Sequence, residues 1–176
     1  MTNQISKNLK ILTVENKKEE KFLRTKTPEF DFSKFNKKET AALMKQMKEA
    51  MNAAMGIGLS ANQIGLNLKV FTVQMPGSKE TPAKFYAVFN PKIVKTSSKN
   101  VAMEEGCLSV PGLYGIVERP EKITLEGRDK NGKKFKIKSW GLLARVFQHE
   151  CDHLNGILFI DKAREIHKAE NIDYNL

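Results

Sequence analysis

Apolar positions repeat with a helical period over residues 37–55, where Leu43, Met47, Ala50, Met51 and Ala54 share one face. Asn36, followed three residues later by Glu39, is a capping pair at the start of that run, and Gly56 suits its end. The methionines of this segment suit core filling. Further on, the period falls to two. Residues 69–75 and 84–89 are β-rich, and the second run is expected to stop at Asn90-Pro91. Residues 122–125 form another candidate strand. Over residues 133–139, Lys134, Lys136 and Lys138 alternate with Phe135 and Ile137, as in a half-buried strand. Asn131-Gly132 between the last two is a hairpin signal. A second helix is predicted over Gly141–Leu154, with Gly156 just past its end, and a short last helix over residues 161–170. The sum is an α+β fold, antiparallel strands packed around one central helix.

A chain of 176 residues can bury one core of ordinary size, so a single catalytic domain, residues 1–176, is expected. No apolar run approaches the roughly 18–20 residues of a membrane span. The first residues do not read as a secretory signal, which makes the cytoplasm the expected compartment and a monomer the default. The net charge of +10 is uneven. Residues 1–50 hold 12 basic and 7 acidic side chains, residues 79–138 hold 13 and 7, and residues 139–176 only 4 and 6. The basic excess therefore lies away from the second helix. Such charge suits attraction to RNA, but no aromatic-interleaved motif supports sequence-specific nucleic-acid binding.

The central helix carries the most specific chemistry. Gln148-His149-Glu150-Cys151-Asp152-His153 is a His-Glu-x-x-His motif. Histidines four apart leave the same helix face, roughly 5–6 Å apart at Cβ, and can share a metal ion. Glu150 can then reach a water beside that ion without ligating. Cys151 points to the other side and reads as a packed thiol.

Catalytic metal sites usually take a third protein ligand. In a metalloprotease motif that continues from His-Glu-x-x-His, Gly156 fits but the third histidine would fall on Phe159. A downstream glutamate is limited to Glu165 or Glu170, with little chain left to build a cleft. Cys107, within Glu105-Gly106-Cys107-Leu108-Ser109, is the better donor, because a thiolate with two imidazoles leaves one position open. A third segment, Gly56-Ile57-Gly58-Leu59-Ser60-Ala61-Asn62-Gln63, has the glycines for close backbone approach to a ligand, and Gln63 can donate an amide N–H to a developing oxyanion. Leu142 and Val146 lie two turns and one turn before His149, respectively, and can wall an apolar pocket.

Taken in order, the glycine segment ending at Gln63, the segment around Cys107 and the segment around His149 resemble the peptide deformylase family over almost the whole chain. The resemblance implies removal of the N-formyl group from the formyl-methionine of newly made polypeptides, with release of formate. It implies Cys107, His149 and His153 as ligands of one divalent metal ion, Fe2+ by the family's habit, with Zn2+, Ni2+ or Co2+ compatible with the same donors. It further implies Glu150 as general base, Gln63 and the Leu108 backbone N–H as oxyanion donors, and the peptide laid as an added strand along Ile57 and Gly58. Gln148 and Asp152 would be structural or would orient the ligands, and Arg119 would form a structural ion pair or hydrogen bonds. Ser60 stands where the family often has alanine. The short, partly acidic tail departs from a longer basic helix linked to ribosome contact in many members, and the basic residues 92–99 and 128–138 are expected to serve instead. The competing reading is a zinc peptidase of another His-Glu-x-x-His class.

Overall fold

The computed structural model describes residues 10–78 and 82–168. Three helices are present among them: α1 (Lys17–Leu23), α2 (Lys37–Ala53) and α3 (Gly141–Leu154). α2 starts as its sequence dictates. Asn36 Oδ1 accepts from the N–H groups of Lys38 and Glu39, and Glu39 Oε2 accepts from the Asn36 N–H at 2.8 Å. Such a cap is worth about 1 kcal/mol. Leu43, Met44, Met47 and Met51 form its buried stripe.

Five antiparallel strands form the main sheet, in the order β1 (Gly58–Ser60), β2 (Val70–Met75), β3 (Lys84–Thr96), β6 (Lys122–Arg128) and β7 (Lys134–Trp140). A smaller sheet holds β4 (Asn100–Cys107), β5 (Val110–Pro120) and β8 (Arg164–Lys168), in that order. α2 packs on one face of the main sheet with Leu59, Val70 and Phe89. α3 packs on the other with Phe71, Val73, Val88, Ile123 and Leu125. Phe147 and Cys151 of α3 lie in that second cluster, so Cys151 is a core thiol. The alternating lysines of β7 are exposed and Phe135 and Ile137 turn toward α3, as the period predicts.

Three local expectations change. β3 runs on through Asn90-Pro91. Asn90 takes φ +50°, its side chain bonds both the N–H and the carbonyl of Phe30, and the ladder shifts register between Phe89 and Lys92. Proline is tolerated at such a bulge. The Asn131-Gly132 turn widens to residues 129–133, because Asp129 Oδ1 accepts from the N–H groups of Asn131 and Lys133. Beyond residue 158 a 3-10 turn, Phe159–Asp161, replaces the expected helix, and β8 follows. β8 finds its partners on the distant edge of β5, where His167 faces Tyr114; residues 169–170 lie outside the described residues.

Candidate active site

α3 is amphipathic and ends cleanly at Gly156, whose φ of +74° and contact with the Arg24 carbonyl leave no room for a Cβ. One turn of this helix separates His149 from His153 and brings their Nε2 atoms to 3.2 Å. Cys107, at the end of β4, places Sγ 3.1 Å from His153 Nε2. The three donor atoms lie within 4.8 Å of one another. Cys107 and His149 face a cleft of about 480 Å3 between β1, α3 and the β4–β5 hairpin.

Glu105, two residues before Cys107, reaches from the same strand to the Nδ1 of His149 at 2.9 Å. Two arginines hold its carboxylate: Arg119 donates at 2.6 and 2.9 Å, and Arg145 at 2.9 Å. Arg119 also donates to Asp152, which Lys162 caps from outside. Burial pushes the Glu105 carboxyl up, but hydrogen bonds from Arg119 and then His149 outweigh it, and it sits well below the usual carboxylate range. An ionised Glu105 only accepts, so Nδ1 of His149 carries a proton, and Nε2 is the nitrogen left to bind a cation once its own proton is displaced. Asn62 donates to the His153 carbonyl at 2.7 Å, while His153 Nδ1 is buried with no hydrogen-bond partner among the described residues.

The charge around these donors calls for a cation. Burial opposes charge on His149, yet the Cys107 thiolate and Glu105 push it up to about 10. The Cys107 thiol resists burial in the same way: the charge of His153, then hydrogen bonds with His149 and His153, hold it well below its ordinary value. A thiolate and two imidazole nitrogens with converging lone pairs fit a divalent metal ion.

Glu150 is buried one residue beyond His149. Burial raises its carboxyl pKa, and the charges of His149 and His153 and the Ser60 hydrogen bond only partly offset this. Ser60 donates from Oγ to Glu150 Oε2 at 2.6 Å. The amide of Gln63 has a fixed sense: Oε1 accepts from the Ser60 N–H, and Nε2 lies 3.1 Å from Ser109 Oγ and 3.6 Å from Cys107 Sγ. Leu108 lines the cleft over Gly56, where an added Cβ would meet its side chain at 2.8 Å.

β1 is the edge strand of its sheet, and Gly58 lines the cleft. A Cβ there would overlap Glu150 Oε1 and come within 2.9 Å of Val146. The Ile57 carbonyl is already taken by the Gln74 N–H at 2.8 Å, so by antiparallel alternation Gly58 turns its backbone groups to the open edge. Leu142 is half exposed and Val146 buried, and both line the cleft. Gln148 does not touch the histidines; it donates to the Pro120 and Ala144 carbonyls. The residues not foreseen are Glu105, Ser60 and Arg145. A signal existed for Arg145: a charge one turn before His149 on a largely apolar helix asks for a buried partner. Glu105 lies two residues before Cys107, and nothing in that spacing alone points to His149. Phe159, at the position a third histidine would take, packs its ring nearly parallel to His149. Glu165 is exposed in β8.

Metal-assisted hydrolysis is the class of chemistry that this fold and cleft define. Residues 8–169 match the family model for polypeptide deformylase, and the chain belongs to that family. It is 45% identical over 129 residues to the peptide deformylase of Halothermothrix orenii, covering 73% of this chain and 80% of that one. It is 37% identical over 174 residues to that of Chloroflexus aurantiacus, covering 93% and 91%. The crystal structure of a probable peptide deformylase from Synechococcus phage S-SSM7 superimposes with a TM-score of 0.79 at 44% identity, over 88% of this chain and 99% of that chain. The chain is therefore a metal-dependent hydrolase that acts on N-formyl peptides. Among the described residues no helix is long and apolar enough to cross a membrane.

Proposed function

We propose that Cys107, His149 and His153 hold one divalent ion, and that Glu150 is the general base and acid for release of formate from formyl-methionyl chains. The observation that supports this most strongly is the buried Glu150 carboxylate beside the three converging donors, at the one glycine of β1 that leaves it room. When bound, the ion supplies Lewis acidity, which lowers the pKa of water toward neutrality and polarises a carbonyl. Glu150 accepts the water proton at Oε1, the oxygen that Ser60 does not engage, and returns a proton to the leaving amine nitrogen. Water oxygen bonds to the formyl carbon, the C–N bond breaks, and formate and a free α-amino group result. Gln63 Nε2 and the Leu108 N–H donate to the formyl oxygen as it gains charge. The open edge at Ile57 and Gly58 pairs with the peptide backbone, chiefly through Gly58, and Leu142 with Val146 walls the methionine side chain.

Ferrous iron is the proposed resident ion, and Zn2+, Ni2+ or Co2+ suit the same donors. Residues 1–176 are read as one catalytic domain working in the cytoplasm on nascent chains, with transient ribosome contact through basic surface. The test is formate release from formyl-Met-Ala by anaerobically purified protein loaded with Fe2+ or Ni2+. Fast release by the wild type, lost in Glu150→Ala at unchanged metal content, is the expected result. Cleavage of unformylated peptides instead would overturn the reading in favour of a peptidase.

A further inference from the structure

The main sheet has one face on α3, but α2 covers only part of the other. It packs over β1, β2 and the first half of β3. The second half of β3, with β6 and β7, shows its outer face bare. Register fixes what stands there. One row across the three strands is Lys92, Glu126 and Lys136, and the next is Lys95, Thr124 and Lys138. Arg128 pairs with Lys134 at one end, and Lys122 with Trp140 at the other. The outward lysines of β7 are all exposed, and Trp140 is 69% exposed. Glu126 is the one carboxylate in these rows, and Lys136 already takes it at 2.7 Å. A recess of about 640 Å3 opens at the Arg128 end, lined by Lys92, Arg128, Lys134 and Asn90 and also by Glu126 and by Glu29, which pairs with Lys69 at 3.0 Å. Strand spacing of about 4.8 Å and a step of about 6.7 Å between alternate residues make this a two-dimensional lattice of cations.

We propose that this bare half-sheet docks the phosphate backbone of RNA, with Trp140 as a stacking platform for an unpaired base. The density of fixed cations suits a polymer with closely spaced phosphates, and their sequence-independent contact needs no base-reading motif. One exposed indole at the rim suits a base pushed out of a helix. Outside Trp140 the rows hold no large apolar side chain for insertion into a lipid layer. The inference deepens the ribosome contact proposed above by naming the face and its chemistry, and it does not depend on the deformylation step.

The experiment uses the metal-loaded full chain and a labelled RNA stem-loop, with fluorescence anisotropy from 50 to 200 mM salt. Binding should weaken linearly in log–log form. Replacing Lys134, Lys136 and Lys138 together by Gln should reduce the slope by about 2 to 3, at roughly 0.7–0.9 for each phosphate left without its lysine. The same charge removed elsewhere, by Lys17→Gln, Lys37→Gln and Lys38→Gln together, should leave the slope nearly unchanged. Trp140→Ala should weaken the stem-loop about fivefold or more without changing the slope, and spare a blunt duplex. Equal losses in the two triple variants would reduce the effect to net charge and overturn the proposal. So would a wild-type slope in the β7 variant, or a β7 variant that loses binding only to phosphatidylserine vesicles. The β7 variant should still release formate, so failure of this docking surface and failure of the enzymatic reading give different results.

Discussion

Glu105 Oε2 sits 2.9 Å from Nδ1 of His149, and Glu105 lies two residues before Cys107 on the same strand. One hairpin thus supplies the thiolate and aims the imidazole. Arg119 and Arg145 fix the carboxylate from β5 and α3, so three elements must be in place before the donors converge.

Replacing Glu105 by Gln should therefore reach both the metal and the fold. Loss of the partner that orients a ligating histidine typically costs 10–100-fold in metal affinity, and that range is expected. Buried Arg145 would also lose its carboxylate partner and Arg119 would keep only Asp152, which should cost roughly 3–5 kcal/mol of stability. Chelator competition and denaturant unfolding measure the two separately. Full metal affinity with only a stability loss would show that Glu105 serves the arginines and not His149.

Gly58→Ala tests the fit between β1 and α3. The added methyl overlaps Glu150 Oε1 and crowds Val146, while the strand backbone accepts alanine readily. A displacement of about 1 Å at a catalytic group can cost 10²-fold, so kcat/KM should fall by about that factor with the metal still bound. A variant with full activity would mean that the base works from another position.

The sequence made some of this architecture legible and hid the rest for physical reasons. The cap of α2, the span of α3 and the alternation of β7 are local, set by residues a few positions apart such as Asn36 and Glu39. The β4–β5 hairpin escaped notice because Glu105 and Arg119 occupy inward positions where a strand pattern expects apolar residues; they are buried only because they pair. β3 passes Pro91 because Asn90 is stapled to Phe30, 60 residues away in sequence. β8 is a strand because β5 offers it an edge, and nothing within its own charged sequence says so. In the site, the motif histidines could be read one by one, but the Ser60 contact to Glu150 spans 90 residues and appears only in three dimensions.

Asp161, whose partners are Arg24 and the Leu158 N–H, gives a pH test outside the donor cluster. Burial raises its carboxyl, but the Arg24 hydrogen bond, then the Leu158 N–H, outweigh it, so its folded pKa is lowered. A lowered folded value means that its stabilisation is complete above the unfolded pKa of about 4 and is lost as pH falls through the folded value. The stability difference between wild type and Asp161→Asn should be constant from about pH 5 to neutrality and shrink below about pH 4. Its side chain is 35% exposed, so the difference should be small and reduced by salt. Denaturant melts across this range measure it, and a difference that stays flat into strong acid would exclude the ionised pair as the cause.

Ser60 is the finest point of the site. Its hydroxyl is fully buried and has two acceptors on Glu150, the carboxylate at 2.6 Å and the backbone carbonyl at 3.1 Å. The shorter bond occupies Oε2 and leaves Oε1 facing the gap at Gly58, so the serine sets which oxygen meets the substrate. Ser60→Ala removes that restraint without adding volume, and a hydrogen bond to a charged group is worth about 1.5–3 kcal/mol when its partner stays buried. Part of this should return as Glu150 relaxes toward the cleft. The expected result is a kcat lower by about tenfold, with KM and metal content unchanged, since the substrate's binding edge and the three ligands are untouched. Equal kcat would confine the hydroxyl to tying β1 to α3 through the carbonyl. A rise in KM alone would place its effect on the peptide edge at Gly58 and not on the base.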